Sequence, residues 1–376
     1  MLCLRLPAPN GDFVVPNFNL RHTWCGGNPF FTMKFLSSQI TLLVLLSFLS
    51  LCFLSSEYRC LAAESVVMKT VFVDDEQEKP FDAGRLAGQK LLDAIKGSDL
   101  KLILLAESFD GKDDKEKLLA GLCSVLPKEK LFGLSTYGSF VRDSVADGDR
   151  VTLLGIGGDL SVQSALQTEL GVAQLTMDTA EKEIETKLLQ AGRTLAGKSN
   201  VTGKNRWDML IADAHSPKNG FLVRGIQEKL GKEALILGGS ANKNPGQNHV
   251  YYQGVRYEDA AMLLTLTGSF RVSMTGRFAN QGETVVKTAE EAAATAVASV
   301  NGTPFGMIAF SCAGRKSKLD DLDAELNAIQ KRFADKPIFG CFCAGEVGPA
   351  DPTVETTDAT CCGSGWYLML AILFSE

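Results

Sequence analysis

Ile338-Phe339-Gly340-Cys341-Phe342-Cys343-Ala344-Gly345-Glu346-Val347-Gly348-Pro349 is an apolar run that stops in a Gly-Glu-Val-Gly-Pro turn. Such a run reads as a buried strand, and the turn leaves a carboxylate, Glu346, at the strand's mouth. Leu131-Phe132-Gly133-Leu134-Ser135-Thr136-Tyr137-Gly138 and Leu235-Ile236-Leu237-Gly238-Gly239-Ser240-Ala241-Asn242 have the same construction. In each, a glycine sits inside the apolar run, where it weakens a strand and marks close backbone approach. Ser135, Ser240 and Phe342 follow two residues later.

Working outward from these runs, the chain divides into three passes of strand-helix-strand-helix-strand-strand. The first has a strand over Val66 to Val73, a helix over Pro80 to Ile95 and a strand over Leu100 to Leu105, then a helix from Asp113, the glycine strand, and a strand over Arg150 to Ile156. The second runs from Gln163 to Leu266 and the third from Phe270 to Phe374, with breaks near Asp159 and Gly268. Asp178-Thr179-Ala180-Glu181 and Thr288-Ala289-Glu290-Glu291 are expected to open helices as capping boxes. The fold class is α/β, three tandem units with helices against mixed sheets.

Ahead of these units, Met33-Lys34, the apolar run Ile40 to Leu54 and Leu61-Ala62-Ala63-Glu64 fit a secretory signal peptide cut near Ala63. Residues 1–32 show no periodicity, which makes Met33 the expected start. Export follows, periplasmic or extracellular; the alternative is an uncleaved membrane anchor formed by residues 40–54, short for a span. Beyond this segment the sequence calls for no membrane contact. The domain division is then 1–63 as leader and signal, 64–268 as two units and 269–376 as the third.

The 376 residues are 45% apolar and 22% charged, a globular composition with a sizeable core. Removing residues 1–63 leaves a net charge of −8, which argues against a nucleic-acid partner. Six cysteines remain, Cys123, Cys312, Cys341, Cys343, Cys361 and Cys362, read as buried free thiols. Three histidines, His22, His215 and His249, have no metal-ligand spacing, and neither a phosphate-cradling loop nor Gly-x-Ser-x-Gly is present. No metal and no cofactor are expected.

The chemistry-bearing residues lie at strand ends. Ser311-Cys312-Ala313-Gly314-Arg315 ends the strand over Phe305 to Phe310, and Glu107-Ser108 and His215-Ser216 are read as its equivalents. A serine at such an exit also serves as a turn or helix cap. Arg315 could fork onto a carboxylate and Glu346 could take an amine, together holding a zwitterion; alternatively each pairs within the protein. Cys312 or Cys343 as a nucleophile would need a base such as His215 or His249 brought close by folding.

Phe310 to Arg315, followed after one helix by Ile338 to Pro349, resembles the hallmark of the FIST sensory domain, and Leu131 to Gly138 is similar to the turn in that family's N-terminal half. The resemblance covers residues 66 to 374. It implies a sensory module that binds a small molecule such as an amino acid, with Ser311, Cys312, Arg315, Cys343, Glu346, Ser135 and Ser240 as candidate ligand-binding residues. Family members carry an acidic residue after the N-terminal turn glycine; this chain has Ser139. No kinase, cyclase or methyl-accepting segment follows the third unit, so the signalling output is expected in a separate protein. The alternatives are a hydrolase or transferase with a serine or cysteine nucleophile, and an exported scaffold.

Overall fold

The computed structural model describes residues 65–199, 205–333, 335–354 and 362–375. The expectations for residues 1–63 lie outside the described residues. Among those described, no helix is long and apolar enough to cross a membrane.

The first unit holds β1 (Val67–Asp74), α1 (Pro80–Ala94), β2 (Leu100–Glu107), α2 (Lys112–Cys123), β3 (Leu131–Ser135), the short strands β4 (Ser139–Val141) and β5 (Ser144–Ala146), and β6 (Arg150–Gly157). The second repeats the order as β7 (Leu160–Gln167), α3 (Met177–Lys198), β8 (Trp207–Ala212), α4 (Asn219–Leu230), β9 (Ile236–Ser240), β10 (Val250–Tyr252), β11 (Val255–Tyr257) and β12 (Ala261–Gly268). The third contains β13 (Arg271–Phe278), α5 (Gly282–Ala298), β14 (Thr303–Cys312), the one-turn α6 (Ala313–Lys316), α7 (Ala324–Gln330), β15 (Ile338–Cys343), β16 (Glu346–Gly348), β17 (Cys362–Ser364) and β18 (Tyr367–Ser375). The expected α/β repeat is present three times.

The sequence reading did not anticipate the hairpin between each glycine strand and the last strand of its unit. Each hairpin leaves its own unit and completes another's sheet. The sheet orders are β1-β6-β2-β3-β10-β11, β17-β16-β9-β8-β12-β7 and β13-β18-β14-β15-β4-β5. The first unit thus lends its hairpin to the third sheet, the second to the first and the third to the second. Within each sheet the central pair, β2-β3, β8-β9 or β14-β15, is parallel and the remaining pairs are antiparallel.

The inner faces of the three sheets share one core, in which Leu104, Met209 and Ile308 meet Phe132, Leu237 and Phe339. The outer faces pack under each unit's own helices: Leu91 and Leu122 in the first, Leu188 and Leu222 in the second, Ala292 and Ile329 in the third. Strands covered on both faces explain the continuous apolar runs. The glycines answer to close contacts. A Cβ on Gly133 or Gly238 would stand 2.2 or 1.7 Å from the carbonyl oxygen of the neighbouring strand, and one on Gly340 would stand 2.1 Å from the Phe140 ring of the lent hairpin.

The two capping boxes are corrected. α5 begins at Gly282, which places Thr288 inside it with its hydroxyl donating to the Thr284 carbonyl at 2.7 Å. The helix runs on upstream of the polar residues through Glu283 to Lys287, with Val285 buried beneath it. In α3 the N-cap is Thr176, without a side-chain cap bond, and Ala180 breaks the helical conformation at φ −141°.

Candidate functional site

Backbone hydrogen bonds tie the three strand exits into a ring. Ser135 N–H donates to the His249 carbonyl, Ser240 N–H to Gly345 and Phe342 N–H to Gly138; in return Asn242, Ala344 and Tyr137 donate to the Ser135, Ser240 and Phe342 carbonyls. The registers Glu107↔Ser135, Ala212↔Ser240 and Ser311↔Phe342 make Glu107, Ala212 and Ser311 equivalent, and after them Ser108, Asp213 and Cys312. This corrects the expected equivalence of His215-Ser216 with Ser311-Cys312, because β8 ends at Ala212, before those residues.

Cys312, Cys343 and Gly345 line a cavity of about 770 Å³ at the exits of β14 and β15, together with Tyr137 from the first unit and Ser216 and Lys243 from the second. Loop length helps leave this corner open: residues 344–345 join β15 to β16 and residues 136–138 join β3 to β4, whereas residues 241–249 span from β9 to β10. Trp366 and Gly365, between β17 and β18, supply another part of the wall, and Ala313, Gly314 and Lys316 the start of α6.

Glu346 lies fully buried behind this lining. Its Oε2 accepts the Tyr367 N–H at 3.2 Å, while Oε1 has no hydrogen-bond partner among the described residues. Burial holds its carboxyl well above the usual carboxylate range, against the pull of the Tyr367 N–H, the neighbouring Cys312 thiol and the Arg315 charge. Burial and the charge of Glu346 push the Cys312 thiol up to about 11, opposed by backbone N–H groups of Trp366, Gly314 and Arg315. Cys343 is raised by burial and by Cys341, whose sulfur is 3.5 Å away. Thiols held protonated are poor nucleophiles.

Arg315 does not face the cavity in the way the sequence suggests. It is fully buried and forks onto Glu325 Oε1 of α7 at 2.9 and 2.7 Å, with Thr288 Oγ1 and the Val285 carbonyl of α5 as further acceptors. Ser311 Oγ donates to the other Glu325 oxygen at 2.8 Å. Two buried charges that neutralise each other pin α7 beneath the strand exit, so neither Arg315 nor Ser311 is available to a ligand. Ser135 and Ser240 are also placed elsewhere. Ser135 Oγ accepts the His249 N–H at 2.8 Å and donates to the Gln247 carbonyl, holding the lent hairpin. Ser240 Oγ donates to the Ala214 carbonyl at 2.7 Å. Of the seven residues singled out, the fold gathers Cys312, Cys343 and Glu346.

Tyr137, Lys243, Lys316 and Trp366 were missed. Lys316 Nζ donates to the Tyr137 carbonyl at 2.7 Å and pairs with Asp147 at 3.0 Å. Lys243 is exposed and has no ion-pair partner among the described residues. Trp366 is half-buried with φ at +67°, a left-handed conformation that strains a bulky residue by about 1 to 3 kcal/mol. Its position after Gly363-Ser364-Gly365 was the one available sequence signal, because such a cluster marks a turn.

At the second unit's equivalent corner, Asp213 Oδ2 accepts from Asn248 and from the Asp259 N–H, and Oδ1 faces His215 Nε2 at 3.4 Å. Burial raises Asp213 to about 7 and lowers His215 to about 4. Among the described residues neither atom has another hydrogen-bond partner, and one proton between them satisfies both. His249 is a third buried group lowered to about 4 by burial, beside Arg256. Neither histidine is placed as a base for Cys312 or Cys343 by any hydrogen bond, and among the described residues no group of three or more His, Cys, Asp or Glu could hold a metal.

No curated protein matches the chain. Among solved structures it is similar to cyanuric acid hydrolase from A. caulinodans at 12% identity, covering 83% of this chain and all of that one with a TM-score of 0.40. It is similar also to thiamine monophosphate kinase from Aquifex aeolicus (12% identity, 59% of this chain and 88% of that one, TM-score 0.21) and to PurLQS from Thermotoga maritima (8%, 84% and 73%, TM-score 0.29). At these TM-scores the likenesses carry no argument. Residues 101–302, more than half of the chain, match the FIST N domain, and on that match the chain belongs to the FIST family of sensory domains.

Proposed function

We propose that the chain is a small-molecule-binding sensory module whose ligand occupies the cavity at the exits of β14 and β15. The carrying observation is that this cavity gathers Cys312, Cys343 and Gly345 from the hallmark segments, Tyr137 from the first unit and Lys243 from the second. A ligand there touches all three units at once, which lets occupancy be read by the whole ring of sheets. The raised thiol of Cys312 supports binding over nucleophilic catalysis. An amino-acid carboxylate in this cavity would meet Lys243, because Arg315 is taken by Glu325.

The test is a thermal-shift screen of the chain against amino acids and related metabolites, since a ligand bound only to the folded state raises the melting temperature. A hit whose affinity falls about tenfold in Lys243→Ala supports the reading. A hit unaffected by Lys243→Ala and by Trp366→Leu places the ligand elsewhere and overturns it.

A further inference from the structure

We infer that the cavity selects a planar aromatic carboxylate, with Trp366 as the residue that determines the preference for a flat ring; this rests on the cavity being the ligand site. Among the described residues no carboxylate lines the cavity, and the lining cations are Lys243 and Lys316. Lys316 already serves Asp147 and the Tyr137 carbonyl, so Lys243 is left to receive one negative charge. Among the described residues a cationic group on the ligand would meet no lining carboxylate. Glu346, the candidate for that role, is fully buried behind the lining, and burial favours its neutral form. Among the described residues the charge pattern therefore offers a partner to a carboxylate and none to an ammonium group, so an amino acid would be held here by its carboxylate alone and a simple monoanion loses nothing by comparison.

The shape argument is independent. Ala313, Gly314, Ala344, Gly345 and Gly365 give much of the wall no side chain beyond a methyl, which leaves backbone surface on which a flat molecule can lie. Gly314 at one end of this strip packs directly on the Trp366 indole, and Lys318 Nζ lies 6.0 Å from the ring centroid, so the ring is fixed in place beside the strip and continues the same wall. A Cβ on Gly314 would stand 3.0 Å from the Trp366 ring, Ala279 donates to the Trp366 carbonyl at 3.0 Å, and the backbone is held in the left-handed region. A rigid aromatic wall loses little freedom on binding, and ring-on-ring contact is favoured beyond the area it covers.

The experiment is calorimetric titration of the chain with 2-naphthoate, its saturated analogue decahydro-2-naphthoate, and 2-naphthylmethylamine. The expected order is 2-naphthoate tightest, the saturated acid about three- to tenfold weaker, and no binding of the amine. Trp366→Leu should abolish the difference between the two acids, and Lys243→Met, at an exposed side chain, should weaken both about tenfold with the melting temperature unchanged. Equal binding of the two acids, or a preference that survives Trp366→Leu in a folded variant, overturns the aromatic inference. If none of the three probes binds, the inference fails, and the sensory reading then stands or falls on the separate amino-acid screen.

Discussion

The corners after β2 and after β14 begin from the same backbone and end differently. After β2, Glu107 is fully buried against Lys115 at 2.9 Å and receives the Tyr251 hydroxyl at 2.9 Å, while Ser108 Oγ donates to the Gly148 carbonyl at 2.7 Å. Its rim is filled by the 241–249 loop, whose Gln247 reaches Asp110 at 3.0 Å. After β14 the same ion-pair device appears one step removed, with Ser311 donating to Glu325 and Arg315 closing the pair. The next residue, Cys312, opens on a cavity. Near-symmetric backbones therefore supply equivalent corners, and the loops decide which one stays open as a cavity.

If the ion pairs are structural and the cavity lining is not, the largest effects belong to the pairs. Arg315→Met or Glu325→Met alone should cost about 3 to 5 kcal/mol in denaturant unfolding, because each leaves a buried charge without its partner. The double substitution should recover most of that loss. A single variant with near wild-type stability would break the comparison by showing that the charge finds solvent. Next comes Ser135→Ala, which removes one of the two acceptors of the buried His249 N–H, the other being the Gln247 carbonyl at 3.2 Å, and should cost about 1 kcal/mol; a loss below about 0.5 kcal/mol would mean that the hairpin holds without it.

The smallest effect is a matter of pH at Asp213 and His215. With a folded pKa of about 7, Asp213 keeps a proton that the unfolded chain releases, so its contribution is full at low pH and is lost as pH rises through 7. His215, lowered to about 4 from 6.5, acts in the opposite sense, and the two offset each other between those values. Asp213→Asn should therefore remove part of a decline in stability between pH 6.5 and 8, measured by unfolding wild type and variant side by side. A difference between the two proteins that stays constant with pH would place the proton elsewhere.

The order of elements was legible because strands such as Leu100–Glu107 and Tyr367–Ser375 are buried on both faces and read as long apolar runs. The lent hairpins were not. Strands of three residues, such as Ser139–Val141 and Ser144–Ala146, carry no period, and the hairpin these two form joins its sheet through Ser139–Val141 against β15, about two hundred positions away. The site divided along the same line. Cys312, Cys343 and Glu346 sit in the runs themselves, whereas the role of Arg315 depends on Glu325, an acidic residue on a helix whose inward aim no spacing reveals. Lys243 and Tyr137 reach the cavity only because chain crosses from one unit to another.

The lending of hairpins also bears on where the chain could begin. Ser65 and Ser375, at the two ends of the described residues, line one cleft with Thr303 and Phe270. The turns at residues 158–159 and 269–270 join one unit to the next at corresponding points. No unit is first or last in the hydrogen-bonded circuit. A chain opened at either turn and sealed between 375 and 65 would trace the same three sheets, so the order in which the units are synthesised is a property of the gene and leaves no mark on the architecture.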